Sequence, residues 1–307
     1  MGVPTMMRVV RGAIPLLMTA VALVNTGCGS RSSERMPTGP QPPASGNDGQ
    51  VTAMAVAPGL GAADPFGVLG ASTVTNTGPT VVNGDLGISP GNACTGFPAP
   101  CTGGPGIVTG TIHAGDATSL AAQNSITTAY NALAGQACNI DLTGIDLGGL
   151  TLTPGAYCFS SSAFLTGTLT LNALGNPGAV WVFQIGSTLV TASGSRVQFI
   201  NGGQSCGAFW QVGSSATLGT ATTFSGNILA LASITANTNA TSSGGLFART
   251  GAVTLDTNVV SRVGSCGSGP QPTPTPLPGG VPALPMGAGW ALLVVLLGIG
   301  AYILGRR

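Results

Sequence analysis

The chain has 307 residues, 43% hydrophobic and only 6% charged, and nine Arg with no Lys leave a formal net charge of +1. So weak a field cannot draw in a polyanion, and residues 51–266 carry only Arg196, Arg249 and Arg262, which excludes nucleic acid as an electrostatic partner. With 50 Gly and 22 Pro, the composition favours turns and strands over helices and points to a mainly β fold.

Residues 1–28 read as an export signal, with Arg8 and Arg11 ahead of an apolar run over 13–24. The run ends in Asn25-Thr26-Gly27-Cys28, similar to a bacterial lipobox, so lipidation is expected at Cys28. Residues 29–62, rich in Pro, Ser and Gly and without apolar periodicity, read as a flexible linker. The folded domain is expected over 63–266. A strand entering a turn is expected over 66–76, a strand and turn over 81–87 and another strand over 107–113, with a Pro-rich loop over 94–105 between the last two.

One helix is expected over 116–135, capped by Asp116 and stopped at Gly135, with Ala117, Leu120, Ala121, Asn124, Ala129, Tyr130 and Leu133 around its packing face. From Ile140 onward the strand pattern resumes. Residues 165–172 alternate cleanly, placing Leu169 and Leu171 inward and Thr168 and Thr170 outward. Residues 267–282 form a Pro-rich spacer, and 283–307 a C-terminal anchor. Within that anchor, about 20 apolar residues before Arg306-Arg307 suit one transmembrane helix at ~1.5 Å per residue across ~30 Å of hydrocarbon. The trailing Arg pair favours a cytoplasmic C-terminus.

Apart from Cys28, six cysteines remain: Cys94, Cys101, Cys138, Cys158, Cys206 and Cys266. In an exported domain an even set suggests three disulfides, with buried free thiols as the alternative. Cys94 and Cys101 bracket a short loop and are the easiest pair; the sequence leaves the other pairings open.

The most informative stretch is 180–260. Four times an apolar run passes into Thr-x-x-Thr: Thr188 to Thr191, Thr217 to Thr220, Thr235 to Thr238 and Thr254 to Thr257. The last three tetrads, from Thr217, Thr235 and Thr254, follow one another almost evenly, and a wider gap separates them from Thr188. A β-branched, Gly-rich unit recurring at about 20 residues is the mark of a stacked solenoid, which buries one row per turn and ranks polar residues outside. Residues three apart face opposite sides of a regular strand, so each tetrad must span a corner or bulge, or show only one Thr. Asp256 breaks the uniformity of these rows.

Nothing in the chain has the makings of an enzyme. Asp64, Asp85, Asp116, Asp141, Asp146 and Asp256 are scattered, mostly in turns, and His113 stands alone at the helix start. No triad, Cys–His pair or metal-ligand spacing is visible, so no cofactor or metal is expected.

Several motifs in order carry a resemblance: Asn83-Gly-Asp-Leu-Gly, Ser89-Pro-Gly, the Ala-rich helix ending at Leu133, Leu152-Thr-Pro-Gly-Ala-Tyr157, Trp181-Val-Phe-Gln-Ile-Gly-Ser, Phe209-Trp-Gln-Val-Gly-Ser-Ser and Gly251-Ala-Val-Thr-Leu-Asp. Together, over roughly 63–263, they resemble the microbial ice-binding domain of the DUF3494 type. The resemblance implies a discontinuous β-solenoid (parallel β-helix) of triangular section with one long α-helix alongside, and a flat outer face that adsorbs to ice. The expected partner is therefore the ice crystal surface. The expected contact set is Thr188, Thr191, Thr217, Thr220, Thr235, Thr238, Thr254 and Thr257, on a monomer. A non-ice-active adhesin or envelope module of the same fold is the alternative. The tail, from Val281-Pro-Ala-Leu-Pro onward, is similar to bacterial sorting tails, which implies a protein held at the cell envelope, or secreted after processing.

Overall fold

The computed structural model describes residues 54–264 and Cys266. The export signal with Cys28, most of the linker, the spacer and the C-terminal apolar segment lie outside the described residues. Among the described residues no helix is long and apolar enough to cross a membrane.

The described strands are short, and they assemble into three parallel sheets of nine, seven and eight strands. The first sheet shows how the chain is wound. Its order is Ile140–Asp141, Gly155–Phe159, Trp181–Ile185, Ala208–Val212, Asn227–Ala230, Leu246–Ala248, then Phe66–Gly70, Asp85–Ile88 and Ile112–Ala114. The chain thus starts mid-stack, winds to one end by residue 114, and returns along the outside as the helix Ala117–Ala134. From residue 140 it winds back until Leu246–Ala248 pairs with Phe66–Gly70 and Val259–Ser261 pairs with Val81–Asn83. This is the discontinuous solenoid the resemblance implied.

Coil length explains the uneven repeat. One short coil separates Phe209 from its register partner Asn227, and coils of the same length separate Ile228 from Leu246 and Val68 from Leu86. The coils from Gly155 to Trp181, from Trp181 to Ala208 and from Leu86 to Ile112 are nearly half as long again. The long coils lie toward the two ends and carry extra loops.

Inside the three sheets, alternation buries one continuous core, with Trp181, Trp210, Tyr157, Phe183 and Phe224 fully enclosed. Tyr157, Phe183 and Trp210 are register partners on adjacent strands; the Phe183 and Trp210 rings stack at 3.8 Å and 8°. Thr168–Asn172 buries Leu169 and Leu171 as its alternation requires. The corner leading into the first sheet turns through Gly84, Gly226 and Gly244 at φ 132°, 107° and 149°, and a Cβ on Gly226 would lie 2.7 Å from Trp210 Nε1. Both features require glycine there.

The helix begins as expected, with Asp116 accepting a hydrogen bond from Ser119 N at 2.8 Å. Its buried stripe is Ser119, Ala122, Gln123, Ile126, Ala129, Tyr130 and Leu133, packed on Phe66, Leu69, Val182, Phe209, Leu229 and Phe247. The expected face is therefore only half right: Ala117, Leu120, Ala121 and Asn124 are exposed. In a helix so rich in Ala, the position of Ile126 and Tyr130 fixes the buried side, and Leu120 falls off that stripe.

The expected linker also ends earlier than its composition suggests. Leu60 is buried, and Gln136 clamps the passing backbone by donating to Val56 O at 2.7 Å and accepting from Val56 N at 2.9 Å. The turns expected in 66–76 and 81–87 each lead from one strand into a second on the next sheet, and the single strand expected over 107–113 likewise splits in two.

The six central cysteines pair as Cys94–Cys101, Cys138–Cys158 and Cys206–Cys266. The first closes the loop from which Phe97 plugs one end of the core; Leu147 is buried at the other end. Cys138–Cys158 ties the chain leaving the helix to the first sheet. Replacing this pair by Cys138→Ser and Cys158→Ser is expected to lower unfolding free energy by about 3 kcal/mol, from loss of a closed loop across a sequence separation of 20, measured by urea titration.

Candidate functional site

The three outer faces differ. The helix covers the first sheet. The third sheet is chemically mixed: one outward row runs Thr168, Arg196, Thr223, Thr241, Val259, Val81 and Ile107. The second sheet is ordered. Its inner rungs are short strands whose flanking residues are buried and whose middle residue points out: Leu189–Thr191, Ala216–Leu218, Ile234–Ala236 and Val253–Leu255. Ala163–Leu165 at one end and Thr73–Asn76 and Ala93–Thr95 at the other complete its seven strands.

In register, the outward row reads Phe164, Val190, Thr217, Thr235, Thr254, Thr75 and Thr95. Five successive rungs thus present a threonine, at the ~4.8 Å spacing of neighbouring strands. Thr75 Oγ1 donates to Thr254 Oγ1 at 3.4 Å across the junction of the two windings. A second row two residues back holds Ser162, Thr188, Ser215, Ser233, Ala252 and Thr73, roughly 6.6 Å away along each strand. Thr188 Oγ1 donates to Ser162 Oγ at 2.8 Å within it.

The eight expected threonines therefore separate. Thr217, Thr235 and Thr254 share the main row. Thr188 is in the second row, because the partner of Thr217 is Val190. Thr191 points inward at 3% exposure, sharing a hydrogen bond with Thr222 Oγ1 at 2.9 Å and accepting from Gly219 N at 2.9 Å. Thr220, Thr238 and Thr257 lie at the corner leading to the third sheet, with Thr257 at φ 56°. The tetrad thus records one face residue and one corner residue per coil. Sequence reading missed Thr75 and Thr95. Neither begins a Thr-x-x-Thr, and the winding brings Thr75 beside Thr254, and Thr95 beside Thr75, from the opposite end of the domain's sequence.

Between Val190 and Thr95 the main row carries no ionisable group. Asp256, at the corner, is tied into the structure: its carboxylate accepts from Thr238 Oγ1 and from Thr257 Oγ1, the latter at 3.0 Å. The hydroxyls of Thr238 and Thr257 hold its carboxyl below the usual range. Asp116 is lowered first by the Ser119 N–H, with His113 helping at 2.7 Å. For Asp146, burial pushes the carboxyl up, but the Gly148 and Thr166 N–H groups outweigh it and the net shift is downward. Carboxylates depressed in the folded state favour folding above their unfolded value near ~3.9, and that contribution is lost as pH falls through the folded values. The melting temperature is therefore expected to be level across neutral pH and to drop below about pH 4, by circular dichroism melts.

His113 lies against Phe66, with Nε2 4.0 Å from Asp85, and joins the helix start to the terminal coil. Among the described residues no group of His, Cys, Asp and Glu could hold a metal ion. What the second sheet offers is a regular array of hydroxyls and methyls on stiff side chains.

Comparison with known proteins agrees with this architecture. The Ice-binding-like family model matches residues 68–261. An ice-binding protein of Nostoc sp. (strain HG1) is 57% identical over 213 residues, covering 69% of this chain and 76% of that protein. The crystal structure of an ice-binding protein from the Antarctic ascomycete Antarctomyces psychrotrophicus matches with TM-score 0.64 and 43% identity, covering 68% of this chain and 100% of that one. An ice-binding protein from an Antarctic biological consortium matches with TM-score 0.65 and 44% identity, over 69% and 93% of the two chains. With most of the described solenoid accounted for by the model and by close relatives, the chain belongs to the Ice-binding-like family.

Proposed function

We propose that this protein binds ice through its second sheet and so inhibits ice growth and recrystallisation. The observation that carries the reading is the single in-register row Thr217, Thr235, Thr254, Thr75 and Thr95. A crystal is a periodic ligand, and a row repeating at one strand spacing, with a second row beside it, offers periodicity in two directions. β-Branching fixes each threonine at χ1, so little side-chain freedom is lost on adsorption. The methyl orders water against the face while the hydroxyl anchors it. Thr188 in the second row and Thr220, Thr238 and Thr257 at the rim complete the contact set; buried Thr191 acts through the scaffold. No bond is made or broken and no cofactor takes part.

We place the domain outside the cytoplasm as a monomer, held at the envelope by a lipid on Cys28, by the C-terminal apolar segment, or both, or released by processing. Three disulfides support an oxidising compartment. The test is thermal hysteresis and recrystallisation inhibition by the purified protein. Hexagonal faceting of seed crystals and a freezing gap that grows with concentration are expected; crystals that grow as in buffer would overturn the reading.

A further inference from the structure

The row on the second sheet does not keep one chemistry from end to end. Past Thr217 it continues through Val190 and Phe164, and Phe164 bridges to Asp146 in the next coil. Val190 has the branched shape of threonine without the hydroxyl, and it lies within the same profile. Phe164 does not. Its neighbours Ala163 and Leu165 are fully buried while its own side chain is 51% exposed, so a benzyl group stands out from a face otherwise lined by short side chains. Beyond it, exposed Asp146 holds its carboxylate in place with Oδ1 accepting from Gly148 N at 2.7 Å and Thr166 N at 2.9 Å. A protruding ring followed by a hydrated charge is what an ice lattice cannot continue over.

We infer that Phe164 is the stop of the ice-contacting row: it ends the contact at Val190 and keeps that end of the solenoid in liquid water. The sheet is physically longer than its footprint, and the size of one side chain sets the difference. The inference rests on the ice-binding reading of the second sheet and adds which rungs are engaged and which are refused.

The test compares the full chain with Phe164→Thr and Phe164→Val, using Thr235→Tyr in the same assays. Phe164 is half exposed and the buried contacts of its strand come from Ala163 and Leu165, so far-ultraviolet circular dichroism should match wild type. If Phe164→Thr alone disturbs the fold, Phe164→Val, which repeats the adjacent rung, carries the test. Lengthening the row is expected to raise hysteresis at matched concentration and to lower severalfold the concentration needed to arrest recrystallisation. Unchanged or weaker activity in the folded Phe164 variants, with Thr235→Tyr impaired, would overturn the stop while leaving the face in place. Full activity in Thr235→Tyr would remove the face itself, and this inference with it.

Discussion

Thr235→Tyr is expected to cost at least about tenfold in ice activity, equivalent to ~1.4 kcal/mol of adsorption free energy, with no change in circular dichroism. Thr235 sits in the row with Thr217 on one side and Thr254 on the other. A phenol ring there stands above the face and holds both neighbours away from the crystal, so one substitution disables three rungs. Its own strand is unaffected in the core, because Ile234 and Ala236 supply the buried contacts. Thr223→Tyr provides the control: Thr223 is an exposed strand residue on the third sheet, and its replacement is expected to leave activity unchanged. Equal loss in both would mean that bulk, wherever it is placed, is responsible, and the second sheet would lose its special role.

The largest loss of stability is expected from Trp210→Ala. Trp210 is fully buried, stacks on Phe183 at 3.8 Å, leans on Phe224 at 5.0 Å, and donates from Nε1 to Ser225 O at 3.2 Å. Removing it opens a cavity where two of the three sheets converge and leaves a carbonyl without its donor. Replacements of this kind cost about 3–5 kcal/mol. For a domain of this size that corresponds to a fall of roughly 10 °C in melting temperature. A fall of only a degree or two would mean that the aromatic column collapses to fill the gap.

Much of this could be read from residues alone, for physical reasons that differ by element. The Asp116 cap is a local interaction, complete within one helical turn. The alternation in Thr168–Asn172 states its own facing. The Thr-x-x-Thr spacing marks coil length where coils are shortest, and there it located Thr217, Thr235 and Thr254. It put Thr188 in rank with Thr217, although the tetrad in that coil starts two residues earlier on its strand and Val190 is the register partner. It took Thr191 for a surface residue, although a buried hydroxyl partnered with Thr222 looks the same in sequence as an exposed one. Thr75 and Thr95 join the row only through pairing across the whole domain, and no window of sequence contains that pairing. The helix face was half misjudged because alanine signals its buried side weakly.

The place where the two windings meet has a consequence for how the molecule comes to exist. Val68, near the start of the domain, pairs with Leu246, near its end. A nascent chain emerging from the ribosome holds its first strand with one neighbour missing until nearly the whole domain has been synthesised. Long-range closure of this kind is slow. The finished threonine lattice therefore cannot form piecemeal: it is absent until the last coils seat against the first, and a truncation that cuts into the last coil removes Thr254 from the middle of the row rather than a rung from its end.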